Sequence, residues 1–189
     1  MKMPIGVCRV VAQTVPIAQK QKALLFEAFK WLGVREQDHY RGQVVEMFQR
    51  IVGRQAVGTA WCMEFVQYCI REVDAFMAAA FGDKQGSPIF KSSMVLDTWS
   101  QSPKDLRLTD PEVGSVVMWQ TFADGKPTDK GHTGIVYRIN DDGSYETIEG
   151  NVFAPDHSPH KGVFTRSRQR GNTTDLGEIG FLKVWSTIS

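Results

Sequence analysis

Cys62 stands in Gly58-Thr59-Ala60-Trp61-Cys62-Met63-Glu64-Phe65-Val66, where a turn-like stretch gives way to the longest helical pattern of the chain. A thiol at a helix start meets the positive end of the helix dipole and unpaired backbone N–H groups. Both favour the thiolate, the form that attacks a carbonyl carbon. The other two cysteines, Cys8 and Cys69, read as small apolar residues. Cys69 lies on much the same helix face as Cys62 but about 10 Å along the axis, too far for a disulfide. Three unevenly spaced cysteines without a Cys-x-x-Cys pair form neither a disulfide framework nor a zinc-ligand set.

A cysteine nucleophile needs a base, and the chain has four histidines: His39, His132, His157 and His160. His39 follows Asp38 in a charged stretch, and His157 and His160 sit in a Pro-containing loop where solvent exposure is the default. His132 differs. It occupies Lys130-Gly131-His132-Thr133-Gly134-Ile135-Val136, the start of a strand with small neighbours that let a second backbone or a substrate come close. A third group must orient the imidazole. The hairpin that turns at Asp141-Asp142-Gly143 brings Glu149-Gly150-Asn151 back to the end where His132 starts, allowing for one bulge. It offers a carboxylate and an amide. The same spacing also fits a strand-end Glu in water and an Asn in a turn.

These groups must be held by elements, and the hydrophobic pattern supplies them. From Ile17, apolar residues recur near a 3.6 period through Ala23, Leu24, Phe26 or Glu27, Ala28, Trp31 and Leu32, and Gly33 stops the helix. A second helix is expected over about 42–52. A third is expected over about 59–81, with Thr59 as N-cap and Gly82 as terminator. Residues 83–110 read as loop with a short helix around Met94 to Trp99. After Pro111 the pattern alternates: strands are expected over 113–120, 133–139, 145–149, 162–167 and 179–185, with loops at 121–130 and 151–161. Helices first and strands after predict an α+β domain with an antiparallel sheet over 18–189, preceded by an arm, 1–17.

Composition narrows the function classes. Apolar residues are 42% of the chain and charged residues 23%, enough for a real core. Lys plus Arg (22) nearly balance Asp plus Glu (21), which argues against nucleic acid as partner. No apolar run has the length of a membrane span, so membrane insertion is not expected. The N-terminus does not read as a secretory signal, because Pro4, Arg9, Gln13 and Pro16 break its apolar stretch.

WCMEFV, then GHTGIV, then IEGN, in this order and separation, resemble the CHAP family, the cysteine- and histidine-dependent amidohydrolases and peptidases. The Gly33-Val34-Arg35-Glu36 segment, the Gly114–Trp119 strand and the late Gly180-Phe181-Leu182 are similar to family features as well, so the likeness covers about residues 20–186. The resemblance implies a papain-like fold and hydrolysis of peptidoglycan amide bonds, with Cys62 as nucleophile, His132 as base, Glu149 as third member and Asn151 closing the site. No metal or other cofactor is expected, because the cysteines lack metal spacing and Asp124, Asp129, Asp141 and Asp142 fall in turn-like segments; a calcium site is not matched, since no compact calcium-loop run precedes Cys62. Trp61 and Trp119 are candidates for packing on substrate. The expected substrate is the peptidoglycan stem peptide, cut within the stem or at its junction to the sugar. The chain would be a phage-type endolysin or an antibacterial effector, made in the cytoplasm and acting on the wall after release or injection. An immunity protein or delivery machinery would then be a partner. Three other readings remain open: a wall-binding module without activity, a thiol peptidase acting on protein, and a zinc hydrolase using His132, His157 and His160.

Overall fold

Among the described residues, alternating apolar residues late in the chain build one antiparallel sheet of six strands, and four helices that precede it supply the other layer. The computed structural model describes residues 14–156 and 158–186. The helices are α1 (Ile17–Phe29), α2 (Gln43–Gln49), α3 (Cys62–Phe81) and α4 (Val95–Gln101). The strands are β1 (Arg107–Leu108), β2 (Val116–Ala123), β3 (Lys126–Ile139), β4 (Tyr145–Phe153), β5 (Lys161–Arg168) and β6 (Leu176–Leu182). Their order across the sheet is β1-β6-β2-β3-β4-β5. This is the expected α+β architecture.

α3 is the central helix. Met63, Phe65, Val66, Cys69, Ile70, Val73 and Met77 are buried along it and pack with Leu24 and Ala28 of α1, Val45 and Phe48 of α2, and Val116, Met118, Ile135 and Ile148 of the sheet. Because side chains alternate along a strand, Val117 and Trp119 point to the opposite face of β2 and join Val136, Tyr145 and Phe181 in a second, smaller core. Gly82 ends α3 in the left-handed conformation, φ 68°, as expected of a terminating glycine. Beyond it a buried ion pair, Lys20 Nζ to Asp83 Oδ2 at 2.9 Å, joins α1 to the end of α3. Asp83 Oδ2 also accepts the backbone N–H of Val15 at 2.9 Å. The rest of the expected arm, residues 1–13 with Cys8, lies outside the described residues.

Several boundaries differ from the sequence pattern. α3 starts at Cys62, not Thr59. The Thr59 hydroxyl instead donates to Ala56 O at 2.7 Å, closing the 3-10 turn Arg54–Ala56. On α1 the buried choice is Glu27, while Phe26 is 72% exposed. Glu27 accepts the Trp31 indole N–H at 3.1 Å and the Lys30 ammonium at 2.7 Å, so its polar end is satisfied. The expected loop at 121–130 is a hairpin. β2 runs on to Ala123, β3 begins at Lys126, and Asp124-Gly125, both with positive φ, make a two-residue turn.

Candidate active site

The approach to Cys62 is held from three sides. Gln49, fully buried, donates to Tyr40 O at 3.1 Å and Thr59 O at 2.7 Å and accepts the Gly58 N–H at 3.2 Å, clamping the turn that leads into α3. Residues 33–36 run beside β5: Gly33 N–H donates to Val163 O at 3.0 Å, Val163 N–H to Val34 O at 2.9 Å, and Glu36 N–H to Lys161 O at 2.9 Å. That pairing sets the Glu36 carboxylate to accept the Trp61 indole N–H at 2.7 Å, inside the protein. Gly150 on β4 lets the first turn of α3 settle on the sheet. A β-carbon there would stand 2.8 Å from Phe65 Cβ and 2.9 Å from the Trp61 ring. Trp61 provides no side-chain cap to α3, so the N–H of Cys62 is not taken up by one.

His132 and Glu149 come together through the register of β3 and β4. Ile135 pairs with Ile148 and Val136 with Thr147, and a bulge between Val136 and Arg138 absorbs the extra residue. His132 Nε2 donates to Glu149 Oε2 at 2.6 Å. Gly134 makes room for this approach, since a β-carbon on it would lie 2.6 Å from Glu149 Cγ. Two further partners hold the buried carboxylate. The Thr147 hydroxyl donates to Oε1 at 2.6 Å. The Arg168 guanidinium grips both oxygens, Nε to Oε1 at 2.8 Å and Nη2 to Oε2 at 2.6 Å. Trp119 lies between these partners: its ring stacks on the His132 imidazole with centroids 5.6 Å apart, and the Arg168 guanidinium sits 5.0 Å from its centroid.

The electrostatics follow from this packing. Burial works to raise the Glu149 pKa, but His132 and Arg168 outweigh it and hold the carboxyl near 2. Burial works to lower the His132 pKa, but Glu149 and the neighbouring Cys62 thiol outweigh it and raise the imidazole to about 9. The Cys62 thiol is thus a neighbour of the ring whose Nε2 is given to Glu149. Cys62 also borders a cavity of about 380 Å³ between the turn before α3, the start of α4 and β3. The larger-scale geometry thus places a thiol, an imidazole and a carboxylate in series at the edge of an open cleft.

Sequence reasoning named Cys62, His132, Glu149 and Asn151, and the first three form this series. Asn151 follows Glu149 at a bulge between β4 and β5, with φ 61°, and its buried Oδ1 has no partner among the described residues. Trp61 and Trp119 do not line the cleft. They are 0% and 2% exposed, and their rings are spent on Glu36, His132 and Arg168, so as substrate platforms they are corrected to structural supports. His160 is exposed on the loop before β5, and His157 lies outside the described residues. Among the described residues no three His, Cys, Asp or Glu side chains cluster as a metal site. Sequence reading gave no role to Gln49, Thr147 and Arg168 and took Glu36 only as part of a family-like segment; Glu36 and Arg168 act on residues 25 and 19 positions away, Gln49 on residues 9 and 10 away, and Thr147 on Glu149 two residues on. It also missed Glu64, in the first turn of α3. Glu64 is fully buried, both its carboxylate oxygens lack a partner among the described residues, and burial pushes its pKa up to about 8.

No curated protein and no solved structure matches the chain. The family model described as CHAP domain matches residues 54–151, just over half of the chain. The match begins in the turn before α3, takes in Cys62, His132 and Glu149, and ends at Asn151. With that span coinciding with the thiol, imidazole and carboxylate described above, the chain belongs to the CHAP family, a family of amidases and peptidases of the peptidoglycan-hydrolase type.

Proposed function

We propose that this chain hydrolyses an amide bond of peptidoglycan by acyl transfer, with Cys62 as nucleophile, His132 as general base and then acid, and Glu149 as the orienting carboxylate. The observation that carries the reading is the 2.6 Å bond from His132 Nε2 to a buried, arginine-held Glu149, with the Cys62 thiol beside the same ring. His132 takes the thiol proton, and the sulfur attacks the amide carbonyl carbon. Negative charge gathers on the carbonyl oxygen, which accepts a hydrogen bond from the Cys62 N–H at the uncapped start of α3. An imidazole raised to about 9 holds its proton at neutral pH until the C–N bond breaks, and the leaving amine takes that proton. Water, activated by the neutral imidazole, then releases the acyl group from sulfur. Asn151, whose Oδ1 has no partner among the described residues, is the proposed polar group closing the site beside Glu149.

The preferred bond lies in the stem peptide, because a cleft between α4 and the sheet accepts an extended peptide more readily than a glycan. The setting we propose is a phage-type endolysin or an antibacterial effector that reaches the wall after release or injection, an immunity protein being the partner in the second case. Mass spectrometry of purified sacculi after digestion tests the reading. Shortened stems still on sugar mark an endopeptidase, and intact free stems beside bare glycan mark an amidase. Absence of any new amine or carboxylate with folded, reduced protein would favour a binding module instead.

A further inference from the structure

The cavity beside Cys62 has a floor of small and apolar groups, among them Ala60, Met94 and Val95, and its remaining polar side chains are neutral except one. Among the described residues on its wall, Lys130 is the one basic side chain. Among the described residues Lys130 forms no ion pair. It lies on β3 two residues before His132, so the period of the strand sets both on one face of the sheet. Gly131 between them is tightly covered by α4, since a β-carbon there would stand 2.7 Å from Val95 Cβ. The backbone at Gly131 is therefore held close to Val95, and Lys130, an exposed residue, borders the same cleft as Cys62.

An unpaired ammonium beside an apolar floor is a receptor for an anion attached to an otherwise small or apolar chain. We infer that Lys130 binds a free carboxylate on the peptide substrate, so that the cleft selects stem peptides whose acidic residue keeps its carboxylate over those in which it is a carboxamide. The inference rests on the hydrolase reading for its substrate. The chemistry is that of a charge-assisted hydrogen bond in a half-open site, where replacing carboxylate by carboxamide removes the charge but not the shape. An effect of about tenfold is expected, shrinking as salt is added.

Two synthetic stem peptides, identical except for carboxylate or carboxamide at the acidic residue, test this with the wild-type protein, Lys130→Met and Lys130→Arg. Wild type is expected to show about tenfold higher kcat/KM for the carboxylate peptide, carried mostly in KM. Lys130→Met should lose that preference, the carboxylate peptide slowing toward the rate of the carboxamide peptide in the same variant, and Lys130→Arg should keep most of it. Equal rates for the two peptides in wild type, or a preference that survives in Lys130→Met, overturn the inference while leaving the hydrolase reading standing. Binding of both peptides to Cys62→Ala, followed by calorimetry, separates the two claims. A carboxylate preference in Kd without turnover in wild type would retain the subsite and reject the hydrolase. No preference in either measurement rejects the subsite.

Discussion

The Trp61 indole N–H donates to Glu36 at 2.7 Å, and both residues are buried, so the residue before the thiol is fastened to a segment that itself pairs with β5. The position of Cys62 thus depends on a carboxylate 26 residues upstream. Glu36→Leu should leave a buried N–H without a partner and cost on the order of 2 kcal/mol. It should also lower kcat on sacculi more than it raises KM, because the thiol and not the substrate wall is displaced. Urea denaturation and steady-state kinetics measure the two effects, and unchanged values in both would break the link from Glu36 to Cys62.

Arg168 is expected to act through Glu149. Arg168→Met strips the carboxylate of its two-point partner, so Glu149 should protonate at higher pH and the acid limb of kcat/KM should move upward. Stability should fall by roughly 2 kcal/mol, less than for a fully buried pair because the guanidinium is partly exposed. Arg168→Lys should recover charge but not the two-point grip, and land between. An acid limb that stays in place in Arg168→Met would show that the arginine is a structural bystander.

The coupled pair dictates a stability window. Glu149 is held near 2, below the ordinary 4.5, so its contribution is whole above 4.5 and is lost as pH falls through about 2. His132 is raised to about 9, above the ordinary 6.5, so its contribution is whole below 6.5 and is lost as pH rises through about 9. Both are complete only between 4.5 and 6.5. The stability difference between wild type and Glu149→Gln should therefore be largest in that interval and shrink on both sides. Denaturation midpoints across pH 2 to 10 check it, and a difference that is flat with pH would contradict the coupling.

Glu64 has the opposite sign. Its pKa is raised from 4.5 to about 8, so the folded state holds a proton that the unfolded chain releases, and stability drains as pH rises through that range. Glu64→Gln cannot ionise. It should match wild type near pH 4 and exceed it progressively, by a few kcal/mol, up to pH 8. Thermal or urea unfolding of both proteins at the two pH values decides it, with equal midpoints at pH 8 as the contrary result.

The legible parts of the sequence were those written in local pattern. The apolar stripe of α3, its glycine stop at Gly82, and the turn at Asp141 to Gly143 that returns Glu149 toward His132 all follow from residues near one another. Residues 121–130 did not read as strand because their outer hairpin is exposed and polar, and its ladder rests on backbone bonds rather than on an apolar face. Phe26 and Glu27 compete for the same inward direction on α1, and only the contacts of Trp31 and Lys30 show why the carboxylate wins. Arg168 ends β5 in a basic run that resembles any solvated edge. Its role comes from pairing opposite Tyr145, which sets it over Trp119 and Glu149. The same long-range packing turns Trp61 and Trp119 from candidate platforms into buried supports.

The most direct test of the account is Cys62→Ala, with Cys69→Ala as its companion, on purified sacculi with released muropeptides quantified by mass spectrometry. Cys62→Ala should fold as wild type and release no new termini above background. Cys69→Ala, at a fully buried site away from the cleft, should keep turnover and lose on the order of 1 kcal/mol of stability. A folded Cys62→Ala protein that releases the same muropeptides at the wild-type rate would contradict the thiol mechanism outright.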